Sequence, residues 1–448
     1  MHSDKSGGKE QNAPPCADRF VAEYPLMASL GISRRDGRTA FSYPGFTYLQ
    51  TARFFSIVGI EMQSIAVGWQ VYEITHRALD LGLVGLAQFL PGMLLFLLSG
   101  HTADRYNRAR VLMMSYGGMA VCSGLLLSVT FAGRHSVLAI YGVMVLVGVT
   151  RSFSSPAGRA ILPQVVPEEE FQSAVAWGAT VLQTATILGP AAGGLVYAFF
   201  RGPSAVYALA MIFAAGASAL MLRVKLQVKA RTREPISRET VLAGFRYIWT
   251  HKIILGSISL DLFAVLLGGA VALLPVYARD ILKTGPWGLG LLRCSPALGA
   301  GAMAILLAFR PLRGRSGQIM LWCVAGFGLF TILFGLSRSL ALSMAALALV
   351  GASDMISMVI RGVLVQLATP DEMRGRVSAV DMIFIGASNE LGQFESGVTA
   401  AWFGSVPAVV LGGAGAILVT ALWAWMFPEL RRADRLHPGP PADLMEKF

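Results

Sequence analysis

The chain has 448 residues, of which 54% are hydrophobic and only 14% are charged. A soluble protein of this length could not cover so much apolar surface with polar groups, and a disordered or coiled-coil chain would carry far more charge. The four cysteines lie too far apart for a zinc site or a disulfide framework. The net charge of +11 is better explained by the basic loops of a membrane protein than by nucleic-acid binding.

Residues 1–45 are polar and lack the features of a signal peptide, so we predict a mostly disordered cytoplasmic tail. From Gly45 the sequence is a series of apolar runs of roughly 20 residues, the length of a membrane-spanning helix. These runs do not alternate as barrel strands do, so the fold is predicted to be all-α. The twelve predicted spans are residues 46–74, 80–103, 110–131, 137–157, 170–198, 203–222, 252–278, 287–309, 316–336, 340–366, 375–402 and 406–428.

Lys and Arg are concentrated in the two tails and in the loops on their side of the membrane. Because basic residues favour the cytoplasmic side, both termini are predicted to be cytoplasmic. The longest interruption, residues 223–251, is predicted to be a cytoplasmic linker, either with a short amphipathic helix on the membrane surface or as a solvated loop. It separates two six-helix bundles, residues 46–222 and 252–428, and a cytoplasmic tail follows at 429–448.

The two halves resemble each other in sequence. Matching positions in order along the chain are Val71 with Val276, Gly85 with Gly290, Pro91 with Pro296, and Gly194 with Gly397. An ordered and nearly ungapped set of matches indicates an internal duplication. Two related six-helix bundles around a central site are typical of secondary transporters. The chain has no phosphate-binding loop motif for ATP, which favours an ion gradient as the energy source.

The loop between the second and third spans, residues 100–110 (GHTADRYNRAR), resembles the G-x-x-x-D-R-x-G-R-x-R signature of the major facilitator superfamily. Gly100 would permit close helix approach, and Asp104 would accept hydrogen bonds from the positive start of a neighbouring helix. Arg105 and Arg108 would anchor the loop to lipid headgroups. Asn107 replaces the usual glycine and tolerates a left-handed turn. The resemblance implies the major facilitator fold, with two pseudo-symmetric bundles.

A second motif lies in the fifth span, at residues 185–194 (ATILGPAAGG). It resembles the G-x-x-x-G-P-x-x-G-G element that marks proton antiporters in this superfamily, and its matching residues are Gly189, Pro190, Gly193 and Gly194. Ordinary packing of small residues is the alternative explanation. With residues 68–72 (GWQVY) and 374–379 (RGRVSA), the chain looks like the branch that includes the bacterial enterobactin exporter and drug-efflux proteins. This resemblance implies outward transport.

Ionisable side chains within membrane spans are costly and usually functional. Glu61, Asp354 and Glu390 lie about midway along their spans, where a carboxyl group can change between its neutral and charged forms near neutral pH. We therefore expect these three to be proton-coupling candidates, Glu61 and Asp354 before Glu390. The alternative is that each is a fixed partner of an arginine such as Arg53 or Arg293.

Polar side chains within the spans are the candidates for the substrate cavity: Arg53, Gln63, Asp261, Asp381, Ser388 and Glu395. Asp381, Ser388 and Glu395 share one face of the eleventh span, which either lines the cavity or packs on a neighbouring helix. A cytoplasmic gate is predicted to join Asp104, Arg159 and Arg376, together with Gly100, Arg105 and Arg108 of the loop motif.

These features predict a monomeric secondary transporter of the cytoplasmic (inner) membrane. It would export an amphipathic small molecule, a drug or a siderophore-like metabolite, in exchange for protons. The expected partners are this substrate, protons and membrane lipid; no cofactor, metal, nucleic acid or enzymatic activity is expected. The alternatives are a proton-coupled nutrient importer and, from another class, a non-transporting membrane sensor. The fifth-span motif argues against the importer, and the short tails argue against the sensor.

Overall fold

The computed structural model describes residues 39–433 except 134–135, 227–237, 311 and 313. Most of the predicted disordered tail (residues 1–38) and most of the predicted carboxyl-terminal cytoplasmic tail (residues 434–448) lie outside the described part of the chain. Residues Thr39–Ser42 form a short 3₁₀ helix in which Ala40 is fully buried. The helical chain therefore begins a few residues earlier than predicted.

Each predicted span of the amino-terminal half is helical. The helices are α1 (Pro44–Thr75), α2 (Ala78–Leu94 and Phe96–Arg105), α3 (Arg108–Phe131), α4 (Val137–Ala160), α5 (Phe171–Phe200) and α6 (Ser204–Met221). Helix α1 packs against α5 and α6, while α3 packs against α4 and α6. Helix α2 packs against α4, so these six helices form one bundle. Buried aliphatic and aromatic side chains fill the space between them, and part of this core continues into the other half of the chain.

The carboxyl-terminal half repeats this arrangement after a short linker helix (Arg238–Thr250). Its helices are α7 (Lys252–Gly268, extended by shorter turns to Ile281), α8 (Gly285–Phe309), α9 (Ser316–Leu336), α10 (Leu340–Ala368), α11 (Asp371–Phe403) and α12 (Ser405–Met426). Helix α8 packs against α10, α9 against α10 and α12, and α7 against α11 and α12. The predicted all-α fold with twelve helices in two bundles is confirmed.

Ten helices in the described ranges are long and apolar enough to cross a membrane. The other two predicted spans are α2, which is interrupted at Leu95, and α11, which carries many polar residues. Helices α2 and α11 pack against each other at the interface between the two bundles. Because they face protein on this side, they do not need an uninterrupted apolar surface.

Two spans that were predicted as continuous helices are broken. Helix α2 contains Pro91, which lacks a backbone donor, and leaves helical geometry at Leu95. Helix α7 ends at Gly268, and the chain continues through a 3₁₀ turn (Ala270–Leu273), a short α-turn that includes Pro275, and a π-helical segment (Tyr277–Ile281). Irregular backbone within a membrane is tolerated where it is buried by protein, and Ala270–Ala278 are mostly buried.

The two ends of the bundles are named here by their position relative to the linker. The linker end carries the starts of the odd-numbered helices, and the far end carries their ends. In the half of the molecule nearer the far end, the bundles meet where α5 crosses α8 and where α2 crosses α11. A Cβ added at Gly194 would lie 2.9 Å from the Gly290 Cα, and one added at Gly397 would lie 2.9 Å from the Gly82 Cα. Gly194 and Gly397 correspond in the repeat, so the two contacts are related by pseudo-symmetry.

Candidate transport site

The predicted antiporter motif lies where α5 contacts both bundles. A Cβ at Gly189 would lie 2.6 Å from the Glu61 Cβ, and one at Gly193 would lie 2.8 Å from the Met62 Cα, both on α1. The neighbouring Gly194 faces α8 of the other bundle. The absence of side chains at these positions permits the close approach of three helices. The motif therefore places Glu61 beside the interface between the bundles.

A group of charged residues lies in the middle of this interface. Arg151 of α4 is 3.9 Å from the carboxylate of Glu390 of α11, measured from Nη1 to Oε1, and Arg151 also donates to Gln88 at 3.2 Å. Gln393 donates to the second carboxylate oxygen of Glu390 at 3.2 Å. Glu61 and Arg293 lie within electrostatic range of Glu390. Charges of both signs from both bundles therefore meet halfway across the molecule.

A second charged group lies within the carboxyl-terminal bundle. The guanidinium of Arg361 on α10 is 3.0 Å from the carboxylate of Asp261 on α7 and 3.1 Å from that of Asp381 on α11. Arg361 and Asp261 are almost completely buried. A buried guanidinium with two carboxylate partners compensates part of the cost of removing all three charges from water. Asp261 and Asp381, predicted to line the substrate cavity, thus hold three helices together.

Asp354 lies beside this group, within electrostatic range of Arg361. It lines a small cavity between α7, α9 and α10, together with Asp261, Ser353 and Ser357. Within the described ranges its carboxylate makes no hydrogen bond and no ion pair within 4.0 Å. Asp354 therefore differs from Asp261 and Asp381, whose carboxylates are paired with Arg361.

The far end of the interface is closed by side chains from both bundles. The Tyr72 hydroxyl at the end of α1 donates to the carboxylate of Asp280, and the Arg279 guanidinium lies 6.0 Å above the Trp69 ring. Arg279 and Asp280 belong to the π-helical segment of α7. Tyr197 of α5 donates to Glu73 at 3.1 Å and extends the same polar group.

The residues of the predicted gate whose side chains the structure describes lie at the linker end. Arg159 of α4 contacts the Met382 sulfur of α11, and Arg108 donates to the Ala160 carbonyl at 2.8 Å. Arg376 lies at the start of α11, and Arg105 is exposed at the end of α2. The side chain of Asp104 lies outside the described part of the chain, so its predicted role remains a prediction.

Two details of the loop motif differ from expectation. Among described atoms, a Cβ at Gly100 would meet nothing within 4 Å, so the predicted close approach is not seen there. Asn107 has φ −60° rather than a left-handed conformation. Its side chain accepts hydrogen bonds from the backbone of Ala109 (3.0 Å) and Arg110 (3.3 Å), so Asn107 acts as the amino-terminal cap of α3.

The remaining cavity candidates occupy packed positions. Gln63 is buried within the amino-terminal bundle and accepts a 2.6 Å hydrogen bond from Ser123. Ser388 is fully buried and donates to the Ile385 carbonyl of its own helix. Glu395 accepts hydrogen bonds from Thr399 (2.7 Å) and Ser396 (3.4 Å). Helix α11 packs against α7, and the Asp381 carboxylate pairs with Arg361 of α10. The lining of a substrate cavity by this face stays a prediction.

The sequence analysis missed the polar contacts at the far end. Tyr72, Glu73, Tyr197 and Asp280 were not selected because they lie near the ends of spans, where polar residues need no special explanation. The repeat contained a signal, since Val71-Tyr72 aligns with Val276-Tyr277 close to the π-helical segment. The pairing of Asp261 and Asp381 with Arg361 was also missed, because the sequence does not show which faces of the spans pack together.

Two six-helix bundles that meet along a charged interface define a membrane transporter of the major facilitator type. The model of a family described as transmembrane secretion effector matches residues 38–446, and the chain belongs to this family of the major facilitator superfamily. The family match covers nearly the whole chain, and the protein is therefore a multi-pass membrane transporter.

Similar proteins agree with this assignment. The chain is 28% identical over 405 residues to an enterobactin exporter of Shigella boydii serotype 4 (strain Sb227), covering 89% of this chain and 95% of the exporter. An enterobactin exporter of Escherichia coli O139:H28 matches with the same identity and coverage. Among solved structures, a nucleoside transporter has a TM-score of 0.70 at 12% identity, covering 86% of this chain and 100% of that one. A bacterial homologue of the iron transporter ferroportin, in its inward-facing state, has a TM-score of 0.61 at 16% identity, covering 85% and 98%. These two structures establish the fold alone.

Proposed function

We propose that the protein exports an amphipathic small molecule, such as a drug or a siderophore-like metabolite, across the cytoplasmic membrane in exchange for protons. The family description and the exporters with 28% identity support outward transport. The antiporter-like glycines at the bundle interface support exchange with protons. The observation that carries the proposal is the meeting of Arg151 and Glu390, from opposite bundles, beneath a closed far end.

Export would proceed by alternating access, in which the two bundles rock about their interface. In the conformation described, Tyr72 and Asp280 join the bundles at the far end. Release of substrate on that side requires these contacts to separate. The packed glycine contacts at Gly194 and Gly290 would separate in the same motion.

Protons would be carried by carboxyl groups that are not permanently paired. Glu390 is held by a long contact of 3.9 Å to Arg151, and Glu61 makes no hydrogen bond or ion pair in the described ranges. Asp354 likewise makes no hydrogen bond or ion pair within 4.0 Å in those ranges. Protonation of such a group removes a charge from a poorly solvated site and changes its attraction to the opposite bundle. We therefore retain Glu61, Asp354 and Glu390 as the proton-coupling candidates, in contrast to the paired Asp261 and Asp381.

The test uses everted membrane vesicles that contain the full chain and are acidified inside by respiration. Addition of a transported compound should raise the internal pH, seen as recovery of quenched fluorescence from a pH-gradient dye. Glu390→Gln and Glu61→Gln should reduce that recovery at least several-fold, whereas Glu429→Gln, which changes an exposed carboxylate at the linker end, should not. Compound uptake that persists after the pH gradient is collapsed would disprove proton exchange, and compound efflux from these vesicles would identify an importer.

A further inference from the structure

Arg53 and Arg159 of the amino-terminal bundle form no ion pair with an acidic residue in the described ranges. Arg53 of α1 makes no hydrogen bond or ion pair in the part of the chain that the structure describes. In the same ranges Arg159 of α4 is hydrogen-bonded to the neutral sulfur of Met382 alone. Arg151 and Arg361, in contrast, each face a carboxylate. Arg53 lies within the first span, where a guanidinium is costly unless an anion faces it. Arg159 is exposed near the linker-end terminus of α4 and adds a second positive charge near Arg53.

A buried amide next to Arg53 is also without a partner. Gln50 lies one turn earlier on α1 and is 2% exposed, and neither its Oε1 nor its Nε2 atom makes a hydrogen bond. A buried polar group without a partner destabilises a protein, because its lost hydrogen bonds to water are not replaced. Such a group is therefore expected where a ligand completes its hydrogen bonds.

Gly178 on α5 leaves room beside both side chains. A Cβ added at Gly178 would lie 3.4 Å from the Gln50 Nε2 atom and 3.5 Å from the Arg53 Nη1 atom. The two nitrogen donors therefore flank the same small space. The guanidinium of Arg159 and the hydroxyl of Tyr116 are within electrostatic range of Arg53. This group offers donors and positive charge but contains no described carboxylate.

We propose that Gln50, Arg53 and Arg159 bind an oxyanion, a carboxylate or sulfonate, carried by the exported molecule. The planar guanidinium suits such groups because it donates two parallel hydrogen bonds. An anion between Arg53 and Arg159 would also relieve the repulsion between their charges. The proposal rests on the proposed function and defines its substrate class as amphipathic anions. Arg53 lies eight residues before Glu61, about 12 Å toward the linker end, so the anion would bind on the linker side of the central charges.

Binding can be measured with two dyes that share one ring system. The probes are 8-anilinonaphthalene-1-sulfonate, which carries the anion, and N-phenyl-1-naphthylamine, which does not. Each is titrated onto the full chain in lipid nanodiscs, with empty nanodiscs subtracted. Since a hydrogen bond to a charged group contributes about 1.5–3 kcal/mol, Arg53→Gln and Arg159→Gln should each weaken binding of the sulfonate by roughly ten- to a hundredfold. Gly178→Val, which keeps both charges but fills the space, should do the same.

The neutral dye provides the control for folding, because its binding should be unchanged in all three variants. Arg246→Gln, which removes an exposed charge on the linker helix, should leave binding of both dyes unchanged. Equal affinity of the sulfonate for wild type and Arg53→Gln would overturn the proposal, as would an equal loss of both dyes.

A phospholipid headgroup is the other possible source of an oxyanion. Loss of tightly bound lipid phosphorus in Arg53→Gln, with sulfonate binding unchanged, would assign the site to lipid instead.

This experiment separates the inference from the function on which it rests. Binding is measured without a proton gradient, so it does not depend on export. If export is proton-linked but sulfonate binding does not depend on Arg53, the inference is overturned and the proposed function stands. Sulfonate binding that depends on Arg53, in a protein without proton-linked export, would contradict the proposed function and leave an anion-binding site.

Discussion

Arg361 is the residue on which the charge balance of the carboxyl-terminal bundle depends. It joins α10 to α7 and α11 through two carboxylates, at 3.0 Å and 3.1 Å. The sequence indicated that charges within spans need partners, and it offered Arg53 or Arg293 as partners for the proton-coupling carboxylates. It could not identify Arg361 as the partner of Asp261 and Asp381, because such pairing depends on which faces of the three helices pack together.

Arg361→Gln should destabilise the protein strongly, since it leaves two carboxylates without their cation. Removing one partner of a buried ion pair typically costs about 3–5 kcal/mol. The measurement is the temperature at which the purified protein in detergent loses its monodisperse elution peak, compared under one heating protocol because such unfolding is irreversible.

The matched control for Arg361→Gln is Lys252→Gln. Lys252 and Glu429 form an ion pair of 3.7 Å whose side chains are 70% and 52% exposed, a kind of pair that contributes less than about 1 kcal/mol. Equal elution profiles for wild type and Arg361→Gln would show that Arg361 does not support the bundle.

At the scale of helices, the length of an apolar run predicted well that a helix is present but poorly whether that helix is continuous. The ninth span was predicted at 316–336 and is found at Ser316–Leu336. Helices α2 and α7 contain breaks that the length of their apolar runs does not reveal. Pro91 and the Gly268-Gly269 pair were visible signals, but a proline or glycine does not show whether neighbouring protein will satisfy the freed backbone groups.

The contact of α5 with α1 gives a direct test of the glycine motif. A side chain at Gly193 would meet the Met62 backbone at 2.8 Å. Gly193→Val should therefore destabilise the protein by about 1–3 kcal/mol, because the backbone cannot move aside as a flexible side chain can. The readout is the thermal loss of the monodisperse peak.

Gly216→Val on α6 is the control for Gly193→Val, because a Cβ at Gly216 would meet no described atom within 4 Å. It introduces the same side chain at an open position. If both substitutions lowered the midpoint equally, the motif would have no special role in packing.

The linker helix is attached to α11 at a similarly close contact. A Cβ at Gly244 would lie 2.6 Å from the Arg376 carbonyl oxygen, and Phe245 stacks on Phe384 with ring centroids 6.3 Å apart. The amphipathic helix predicted for the membrane surface thus has a protein partner.

Gly244→Val should displace this helix and speed trypsin cleavage after Arg246 several-fold. Leu242→Ala, at a side chain that is 66% exposed, should leave the cleavage rate near that of wild type, and equal rates for Gly244→Val and wild type would refute the contact.

On the scale of the whole molecule, the internal repeat predicted more than the existence of two bundles. Gly194 and Gly397 correspond in the repeat and occupy equivalent contacts between the bundles, one with α8 and the other with α2. The sequence could not show which end of the interface is closed, because closure belongs to one conformation rather than to the pattern of residues. It also left the Tyr72–Asp280 contact unpredicted.

Orientation in the membrane is a prediction of the charge distribution. Because Lys and Arg concentrate at the linker end, that end is expected to be cytoplasmic. A fluorescent protein that matures only in the cytoplasm, fused after Phe448, should be bright. Fused instead after Arg201 at the far end, in a chain truncated there, it should be dark. The reverse pattern would invert the direction of transport proposed here.

The central claim is that the two bundles rock about a shared interface, so that one end opens as the other closes. Spin labels on exposed residues test it directly, with His76→Cys and Arg338→Cys at the far end and Arg110→Cys and Arg310→Cys at the linker end, in a chain whose native cysteines are replaced by serine. Distances within each pair are measured by pulsed electron paramagnetic resonance in nanodiscs, in acidic and in basic buffer. The account predicts that the far-end distance lengthens under the conditions in which the linker-end distance shortens. Distances that stay fixed in both buffers, or that lengthen together, would contradict it.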